Sequence, residues 1–400
     1  MSEKYKLYSY RWVVLGAFLF INLTIQILWI SFAPITGPAA QFYGVTDGQI
    51  GMLSMVFMIA YVPLSIPVSW IIDKFGFRIA VSLGAILMGI FALLRGFAGA
   101  DYTLILWSTI GIAAAQPFLL NAWTTLPAKW FPVDKRATMV GLITLANLIG
   151  IALGMALTPS LIETMPISQV QLIYGTVAAI SSVVFLILAR EKPATPPCAP
   201  EQETRALMLD GLKHALTIKP FWLYLFVSFI GLGIFNGITT WVEGIVRPRG
   251  FTPADAGTLG ALMIVGGLVG AVVLPALSDK QQKRQRFLML AFVGAIPGLI
   301  GLTFATSPIL LFTSAALMGF FLVSAMPIGM QYAAEITYPT PEGTSNGLIQ
   351  LAGQGAVIFV YIMEAMKSPD GSFTPSLLLA IGLLALSTLL TTWMKDAKPR

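Results

Sequence analysis

Twelve apolar runs follow one another along this chain, and each is about 20 residues or longer, the length that a helix needs to cross a bilayer. Charged residues make up only 10% of the chain, too few to cover the surface of a water-soluble protein. The sequence therefore predicts an all-α membrane protein. We place its spans at residues 11–36, 47–72, 77–97, 101–128, 137–160, 168–190, 220–243, 254–277, 286–306, 308–333, 344–366 and 373–395.

The second half of the chain repeats the first at an offset of 206 residues. The run Gly-Leu-Ile-Thr-Leu-Ala-Asn at 141–147 returns as Gly-Leu-Ile-Gln-Leu-Ala-Gly at 347–353. At the same offset, Asp73 and Lys74 return as Asp279 and Lys280. An internal duplication in a helical membrane protein is typical of transporters built from two similar halves.

The repeat predicts two pseudo-symmetric lobes of six helices, at residues 1–190 and 220–400, joined by a cytoplasmic linker at 191–219. If both termini are cytoplasmic, that side of the membrane holds 20 of the 24 Lys and Arg residues, as the positive-inside rule requires. The net charge of +6 is thereby explained by topology and does not indicate nucleic-acid binding. We expect a monomer in a plasma membrane or a bacterial inner membrane, without a cleaved signal peptide, because the first apolar run has full spanning length.

Reactive residue types are scarce in this chain. The single cysteine, Cys198, and the single histidine, His214, both lie in the linker. A disulfide within the chain and a His/Cys metal site are therefore excluded. A phosphate-binding glycine loop is absent from the sequence, so an ATP-driven pump is not indicated either. We expect neither a cofactor nor enzymatic activity.

Two resemblances follow from longer motifs. The loop Asp73-Lys-Phe-Gly-Phe-Arg78 resembles the signature of the major facilitator superfamily, although Ser69 replaces its leading glycine and Phe77 one of its basic residues. The stretches that resemble the feline leukaemia virus subgroup C receptor family are Arg11-Trp12-Val13, Phe42-Tyr43-Gly44-Val45 and Glu335-Ile-Thr-Tyr-Pro-Thr-Pro-Glu-Gly343. The resemblance implies lobes that rock in alternating access around a mid-membrane site and facilitated transport of choline or ethanolamine. Haem export has also been proposed for that family.

Polar and aromatic residues form stripes inside several spans. Asn22, Gln26 and Trp29 have spacings of four and three, so they share one face of span one. The other candidate substrate-binding residues lie in spans four, seven and eleven: Gln116, Trp123, Asn236, Trp241, Gln350 and Gln354. The resemblance implies that these spans line or adjoin the substrate cavity. An aromatic face attracts a quaternary ammonium by roughly 0.5–2 kcal/mol, so we predict that Trp29 faces the amine.

Each of these residues also has a structural interpretation. Asn and Gln join membrane helices through interhelical hydrogen bonds, and Trp123 and Trp241 would fit the aromatic belt at the headgroups. Among the candidates, Trp29, Gln116 and Gln354 occupy the positions at which the resemblance implies substrate contacts, and the two glutamines would accept hydrogen bonds from the amine. Asn236 stands where the resemblance implies an aromatic cage residue, which favours ethanolamine or another polar substrate over choline.

No charged residue lies near the middle of any predicted span. A proton-coupled carrier usually keeps a carboxylate there, so we predict a facilitator that moves its substrate down a gradient. One alternative is a proton-coupled exporter of metabolites or drugs that uses Glu243 or Glu364, at the outer ends of their spans. Another is a membrane sensor that binds a ligand without moving it. Without His, Cys or a carboxylate inside the membrane, haem iron would lack ligands.

Charges at the inner ends of the spans are candidate gating residues. The offset of 206 places Lys129 opposite Glu335, and we predict that they pair when the cytoplasmic side closes. Arg136 and Lys135 are expected to face Glu342. The remaining candidates belong to the signature loop and its repeat: Asp73, Lys74, Gly76, Arg78 and Asp279. The alternative is that all are surface charges, whose exposed pairs contribute about 1 kcal/mol or less.

Glycines four residues apart occur in two further spans. Gly150 and Gly154 lie in span five, and Gly266 and Gly270 lie in span eight. Small residues at this spacing let membrane helices approach closely. The two pairs predict either a sliding surface between the lobes or close packing within one lobe.

Overall fold

The computed structural model describes residues 7–195, 197, 209–338, 340, 342–394 and 396. Its regular secondary structure is helical throughout that part of the chain. In chain order the α-helices are α1 Tyr10–Ile30, α2 Thr36–Tyr43, α3 Asp47–Phe75, α4 Phe77–Phe97, α5 Tyr102–Leu120, α6 Thr125–Trp130, α7 Val133–Ile162, α8 Ile167–Leu188, α9 Leu209–Thr217, α10 Lys219–Thr240, α11 Val242–Val246, α12 Pro253–Gln281, α13 Arg284–Phe304, α14 Pro308–Thr337, α15 Glu342–Gly355, α16 Val357–Ala365 and α17 Thr374–Thr391.

Twelve helical segments in the described residues are long and apolar enough to cross a membrane, which confirms the predicted number of spans. Most predicted boundaries differ from the structure by one to four residues, and the ends of the first and fourth spans differ by seven and eight. The first span extends to Tyr43 and includes a short 3-10 turn at Ala33–Ile35. The α-helix α1 ends before this turn because Pro34 has no N–H to donate to the carbonyl of Ile30. The fourth ends at Leu120, before the separate short helix α6. The seventh ends at Thr240, three residues earlier than predicted.

Local sequence signals set several helix boundaries. The carboxylate of Asp101 accepts a hydrogen bond from the N–H of Leu104 at 3.1 Å and caps α5. Thr252 and Asp255 form a reciprocal capping box at the start of α12. Gly76 separates α3 from α4 with a φ of +91°, a conformation that a residue with a side chain rarely adopts. The caps at Asp101 and Thr252 accept hydrogen bonds from backbone N–H groups that would otherwise have no partner at the helix N-termini.

The chain divides into two compact units. The first comprises Met1–Trp29, Val56–Ile151 and Met165–Met208. The second comprises Ile30–Met55, Ala152–Thr164 and Leu209–Arg400. The second unit thus includes two segments from the N-terminal half of the sequence. The predicted division into lobes at 1–190 and 220–400 rests on the internal repeat and stays a prediction.

Backbone contacts at glycines hold helices together inside each unit. In the first unit a Cβ at Gly175 of α8 would overlap the carbonyl oxygen of Ala92 in α4. In the second unit a Cβ at Gly266 or Gly270 of α12 would overlap carbonyl oxygens of α14. Large apolar side chains elsewhere face outward, such as Trp107, which is 63% exposed. Exposed apolar surface of this extent is expected where lipid is the solvent.

Candidate functional site

Two residues of the polar stripe of α1 form hydrogen bonds to other segments of the first unit. The side-chain oxygen of Asn22 accepts a hydrogen bond from the indole N–H of Trp123 at 2.8 Å. The amide of Gln26 donates to the side-chain oxygen of Asn147 in α7 at 2.7 Å. The first bond joins α1 to the turn between α5 and α6, and the second joins α1 to α7, so both have the structural role that is the alternative to substrate binding. Asn147 is not among the predicted site residues, although it ends the repeated run at 141–147.

Trp29 and Gln116 lie in the interior of the first unit. Trp29 follows Gln26 on the stripe and is 7% exposed. Gln116 is 3% exposed, and its side-chain oxygen has no hydrogen-bond partner within the described part of the chain. A buried amide oxygen without a partner costs about 1–3 kcal/mol. A ligand that donates a hydrogen bond to Gln116 would recover that free energy.

The second unit holds the other four candidates. Asn236 of α10 is buried and donates to the carbonyl oxygen of Gly353 at 3.4 Å. Trp241 is completely buried, donates to the carbonyl oxygen of Val360 at 3.0 Å and stacks on Phe373. The belt interpretation is therefore wrong for Trp241, because a headgroup-belt residue would face the membrane. Gln350 and Gln354 are half-buried on α15.

Lys129 and Glu335 each have a charged partner inside their own unit. Lys129 pairs with Glu191, whose carboxylate also accepts from the N–H groups of Phe77 and Arg78, at 3.2 and 2.7 Å. Glu191 therefore sits at the N-terminus of α4, where the helix dipole favours a negative charge. Glu191 belongs to no motif or repeat by which the sequence could have pointed to it. The predicted pairing of Lys129 with Glu335 stays a prediction, which exchanging the two charges singly and together would test through uptake.

The signature loop has a counterpart in the second unit. Arg284 lies 206 residues after Arg78 and is buried between Asp279 and Glu335, with 3.0 Å to the latter carboxylate. Its backbone opens α13, as Arg78 lies in the first turn of α4. The internal repeat could have revealed Arg284, since Arg78 was already a candidate. The two ion pairs connect α13 with α12 through Asp279 and with α14 through Glu335.

The other candidate gating residues make local contacts. Arg136 donates to the carbonyl oxygen of Ala128 at 3.0 Å, and Lys74 lies over the ring of Trp70. Lys135 pairs with its exposed neighbour Asp134. The side chain of Glu342 lies outside the described residues, so its expected approach to Lys135 and Arg136 is not tested.

A charged cluster lies in the second unit, at helix ends that we expect on the outer side of the membrane. Asp47, the first residue of α3, pairs with Arg247 and with Lys367, the latter at 3.2 Å. Glu243 accepts from the backbone N–H of Gly37 at 3.1 Å and lies 3.5 Å from Arg247. Gly37, Asp47, Glu243 and Arg247 line a cavity of about 490 Å³.

Glu243 is the carboxylate of this cluster that lies beyond the end of a span, in α11, and it is 2% exposed. Burial raises the pKa of Glu243, and the nearby Arg247 guanidinium and the Gly37 N–H lower it only in part. Glu243 therefore holds a proton more readily than an exposed glutamate does.

Residues 14–361 match the family described as Major Facilitator Superfamily. The chain belongs to this family. The match covers most of the twelve spans, as the signature loop and the internal repeat predicted. The membership also fits the even number of spans.

Within this superfamily the chain is similar to named transporters. It is 26% identical to the choline/ethanolamine transporter FLVCR2 of Homo sapiens, over 96% of this chain and 77% of that protein. It is 28% identical to solute carrier family 49 member A3 of Xenopus tropicalis, over 93% of this chain and 81% of that protein. The resemblance to the feline leukaemia virus subgroup C receptor family is thereby confirmed.

Solved superfamily structures share the fold. A bacterial homolog of the human lysosomal transporter Spinster superimposes with a TM-score of 0.73 at 16% identity, over 97% of this chain and 98% of that chain. The transporter FucP gives a TM-score of 0.64 at 17% identity. At such identities the likeness concerns the fold alone, and it agrees with the all-helical architecture of twelve candidate spans.

Proposed function

We propose that this membrane transporter is a facilitator of a small amine, such as choline or ethanolamine, and that it works by alternating access. The observation that carries the proposal is the buried Trp29 on the polar stripe of α1. The chain is also similar, over 96% of its length, to a choline/ethanolamine transporter. An indole face holds an ammonium group without a carboxylate.

The distribution of charge supports a facilitator. Every charged residue of the twelve described spans lies within the first three or the last three residues of its span. The middles of the described spans therefore offer no carboxylate or histidine on which a coupling proton could reside. Flux would follow the gradient of the amine itself.

Two glutamines are the candidates for the remaining contacts. The unpartnered oxygen of Gln116 can accept a hydrogen bond from a hydroxyl or a primary ammonium. Gln354, half-buried on α15, is a second candidate acceptor. Asn236 is already engaged with the carbonyl of Gly353, so we assign it a weaker share in binding. The indole of Trp29 and the amide acceptor of Gln116, both in the first unit, suit a small amine that carries a hydroxyl group.

Uptake into proteoliposomes tests the proposal. Labelled choline and labelled ethanolamine are offered separately, with no proton or sodium gradient across the vesicle membrane. We expect gradient-driven uptake of at least one amine by the wild type and its loss in Trp29→Ala. The matched control is Trp107→Ala, because Trp107 is 63% exposed on the apolar surface and should not affect uptake.

Two results would contradict the proposal. If folded protein takes up neither amine, the substrate assignment is wrong. If either amine binds without being taken up, the protein acts as a sensor. Equal losses in Trp29→Ala and Trp107→Ala would remove Trp29 from the binding site while leaving the substrate assignment in place.

A second candidate function is a proton-coupled exporter, and the buried Glu243 is the observation that favours it. Its raised pKa would let it exchange a proton at the outer end of the second unit. In that case an imposed pH gradient would drive flux, and Glu243→Gln would abolish this dependence. Amine uptake that is indifferent to the pH gradient would exclude the exporter.

A further inference from the structure

The helix that carries Trp29 ends immediately after it. α1 terminates at Ile30, and Pro34 starts the next turn without an N–H to bond the Ile30 carbonyl. The chain also passes from the first compact unit to the second between Trp29 and Ile30. Trp29 therefore stands in the last turn of a helix whose C-terminal end is buried inside the protein. The backbone of that turn sets where the indole lies.

A buried arginine holds this turn. Arg95, in the last turn of α4, is 1% exposed. Its Nη1 donates to the carbonyl oxygen of Leu28 at 3.0 Å, and Leu28 directly precedes Trp29 in the chain. The C-terminal end of a helix carries the negative pole of the helix dipole and carbonyls without intrahelical partners. A guanidinium at that end is therefore stabilised although it lies away from water.

Both helices that meet at this contact are fixed in place. A Cβ at Gly96 of α4 would approach the Cα of Leu172 in α8 within 2.7 Å, so the two backbones touch beside Arg95. On α1, a Cβ at Gly150 of α7 would overlap the carbonyl oxygen of Leu23. The hydrogen bond of Gln26 to Asn147 holds the next turn. The hydrogen bond from Arg95 thus links α4, which packs closely on α8, with α1, which packs closely on α7, at the residue before Trp29.

We propose that Arg95 is a positioning residue, which fixes the indole of Trp29 for the substrate amine through the Leu28 carbonyl. Arg95 does not touch the substrate in this proposal. It acts by holding the broken end of α1 in one conformation. The proposal rests on the proposed function only for its effect on transport, because the position of Trp29 can be observed without any substrate.

The test uses the full-length protein labelled with 5-fluorotryptophan, and ¹⁹F NMR reads the tryptophan side chains directly. Trp29→Phe assigns the Trp29 resonance. We expect Arg95→Met to shift and broaden that resonance while the resonances of the lipid-facing Trp107 and Trp222 stay in place. Arg95→Lys keeps the charge but offers a single point donor, so we expect a smaller displacement, and it replaces Arg95→Met if that variant does not fold.

Arg249 provides a matched control. Its Nη1 donates to the carbonyl oxygens of Leu302 at 2.7 Å and Ala305 at 3.0 Å, at the C-terminal end of α13. Arg249→Met removes the same kind of cap in the second unit. We expect this variant to leave the Trp29 resonance unchanged.

Uptake kinetics supply the second readout. We expect Arg95→Met to raise the KM for the amine by about tenfold, the factor that corresponds to loss of a cation–π contact, with little change in kcat. In the Trp29→Phe background, Arg95→Met should add a smaller increase than in the wild type, because both changes weaken the same cation–π contact. If no amine is transported, the proposed function fails and the NMR comparison still decides the role of Arg95.

Two outcomes would overturn the role of Arg95. The first is a Trp29 resonance that moves no more in a folded Arg95 variant than in Arg249→Met. The second is a KM increase that adds fully to that of Trp29→Phe. Either result would reduce Arg95 to a stabiliser of the fold.

Discussion

Two amide side chains near the end of α5 show how residue-level hydrogen bonding separates a structural role from a binding role. Asn121 accepts from the hydroxyl of Tyr61 at 2.7 Å and donates to the carbonyl oxygen of Ser65 and to the hydroxyl of Ser69, both at 2.9 Å. Gln116, five positions earlier, keeps a buried oxygen without a partner in the described residues. Both residues are polar in a membrane helix, but only the oxygen of Gln116 is left for a ligand.

Replacing each amide with leucine should therefore have opposite effects. Gln116→Leu removes an unsatisfied oxygen, so thermal stability should stay equal or rise, while the KM for the amine should rise about tenfold, or about 1.4 kcal/mol. Asn121→Leu leaves four groups without the amide, namely the Tyr61, Ser65 and Ser69 hydroxyls and the Ser65 carbonyl, and should cost about 1–3 kcal/mol of stability. Thermal unfolding in detergent and proteoliposome uptake measure the two effects. A Gln116→Leu protein with unchanged KM would remove Gln116 from the binding site.

Glu243 should make the stability of the protein depend on pH. Its pKa is raised from 4.5 in the folded state, so the folded protein binds the proton more tightly than the unfolded chain. Its contribution is fully present below about pH 4.5 and is lost as the pH rises through the raised pKa. The charged groups that face Glu243 are Arg247, Asp47 and Lys367.

The melting temperature of Glu243→Gln, measured from pH 4.5 to 7.5, should therefore rise relative to that of the wild type as the pH increases. The exposed Glu163, changed to Gln, is the matched control and should give a constant difference. A constant difference for Glu243→Gln as well would mean that its pKa is ordinary.

At the scale of elements, glycine spacing in α12 decides how closely two helices approach. Gly266 and Gly270 place the backbone of α12 against the carbonyl oxygens of Ala316 and Phe320 in α14. In the same way, Gly319 places the backbone of α14 against the carbonyl oxygen of Met263 in α12. Both helices belong to the second unit, so these glycines pack helices within one unit, which is the second of the two interpretations that their spacing predicted.

Adding a single methyl group should distinguish packed from open glycines. Gly270→Ala should destabilise the protein by about 1–3 kcal/mol, because the new Cβ overlaps a carbonyl oxygen that cannot move freely. Gly382→Ala in α17 meets nothing within 4 Å and should stabilise by about 0.5–1 kcal/mol through backbone entropy. Thermal unfolding of both variants measures the contrast. Equal effects at the two positions would show that α12 and α14 are not in backbone contact.

At the scale of the whole molecule, the membrane imposes the distribution of charge. All charged residues of the spans lie near the span ends, where they reach water or the headgroups. Lys and Arg then gather on one side, with 20 of 24 in the segments that we assign to the cytoplasm. This arrangement predicts the orientation of the entire protein.

The native Cys198 offers a direct test of orientation. It lies outside the described residues, in the linker that we place in the cytoplasm. A membrane-impermeant maleimide should label it in inverted vesicles and leave it unmodified in right-side-out vesicles. Glu163→Cys in a Cys198→Ser background should show the reverse pattern, because it lies between spans five and six. Labelling of Cys198 from the outside would invert the proposed topology.

The sequence by itself determined the number of spans, the family and the neutral middle of the membrane. Each of these follows from hydrophobicity and charge counted along the chain, because the bilayer acts on every span in the same way. The candidate residues Trp29 and Gln116 were also found from spacing and resemblance. Both residues are buried, and their contact with a substrate stays a prediction.

Tertiary structure alone decided which polar groups satisfy one another. Lys129 pairs with Glu191, 62 residues away, and Gln26 donates to Asn147, 121 residues away. No pattern in the sequence of α1 or of α4 indicates that Arg95 donates to the carbonyl of Leu28 at the end of α1. Such pairs are set by the side chains that packing brings within about 3 Å. Hydropathy and periodicity describe one helix at a time, so they cannot identify partners contributed by another helix.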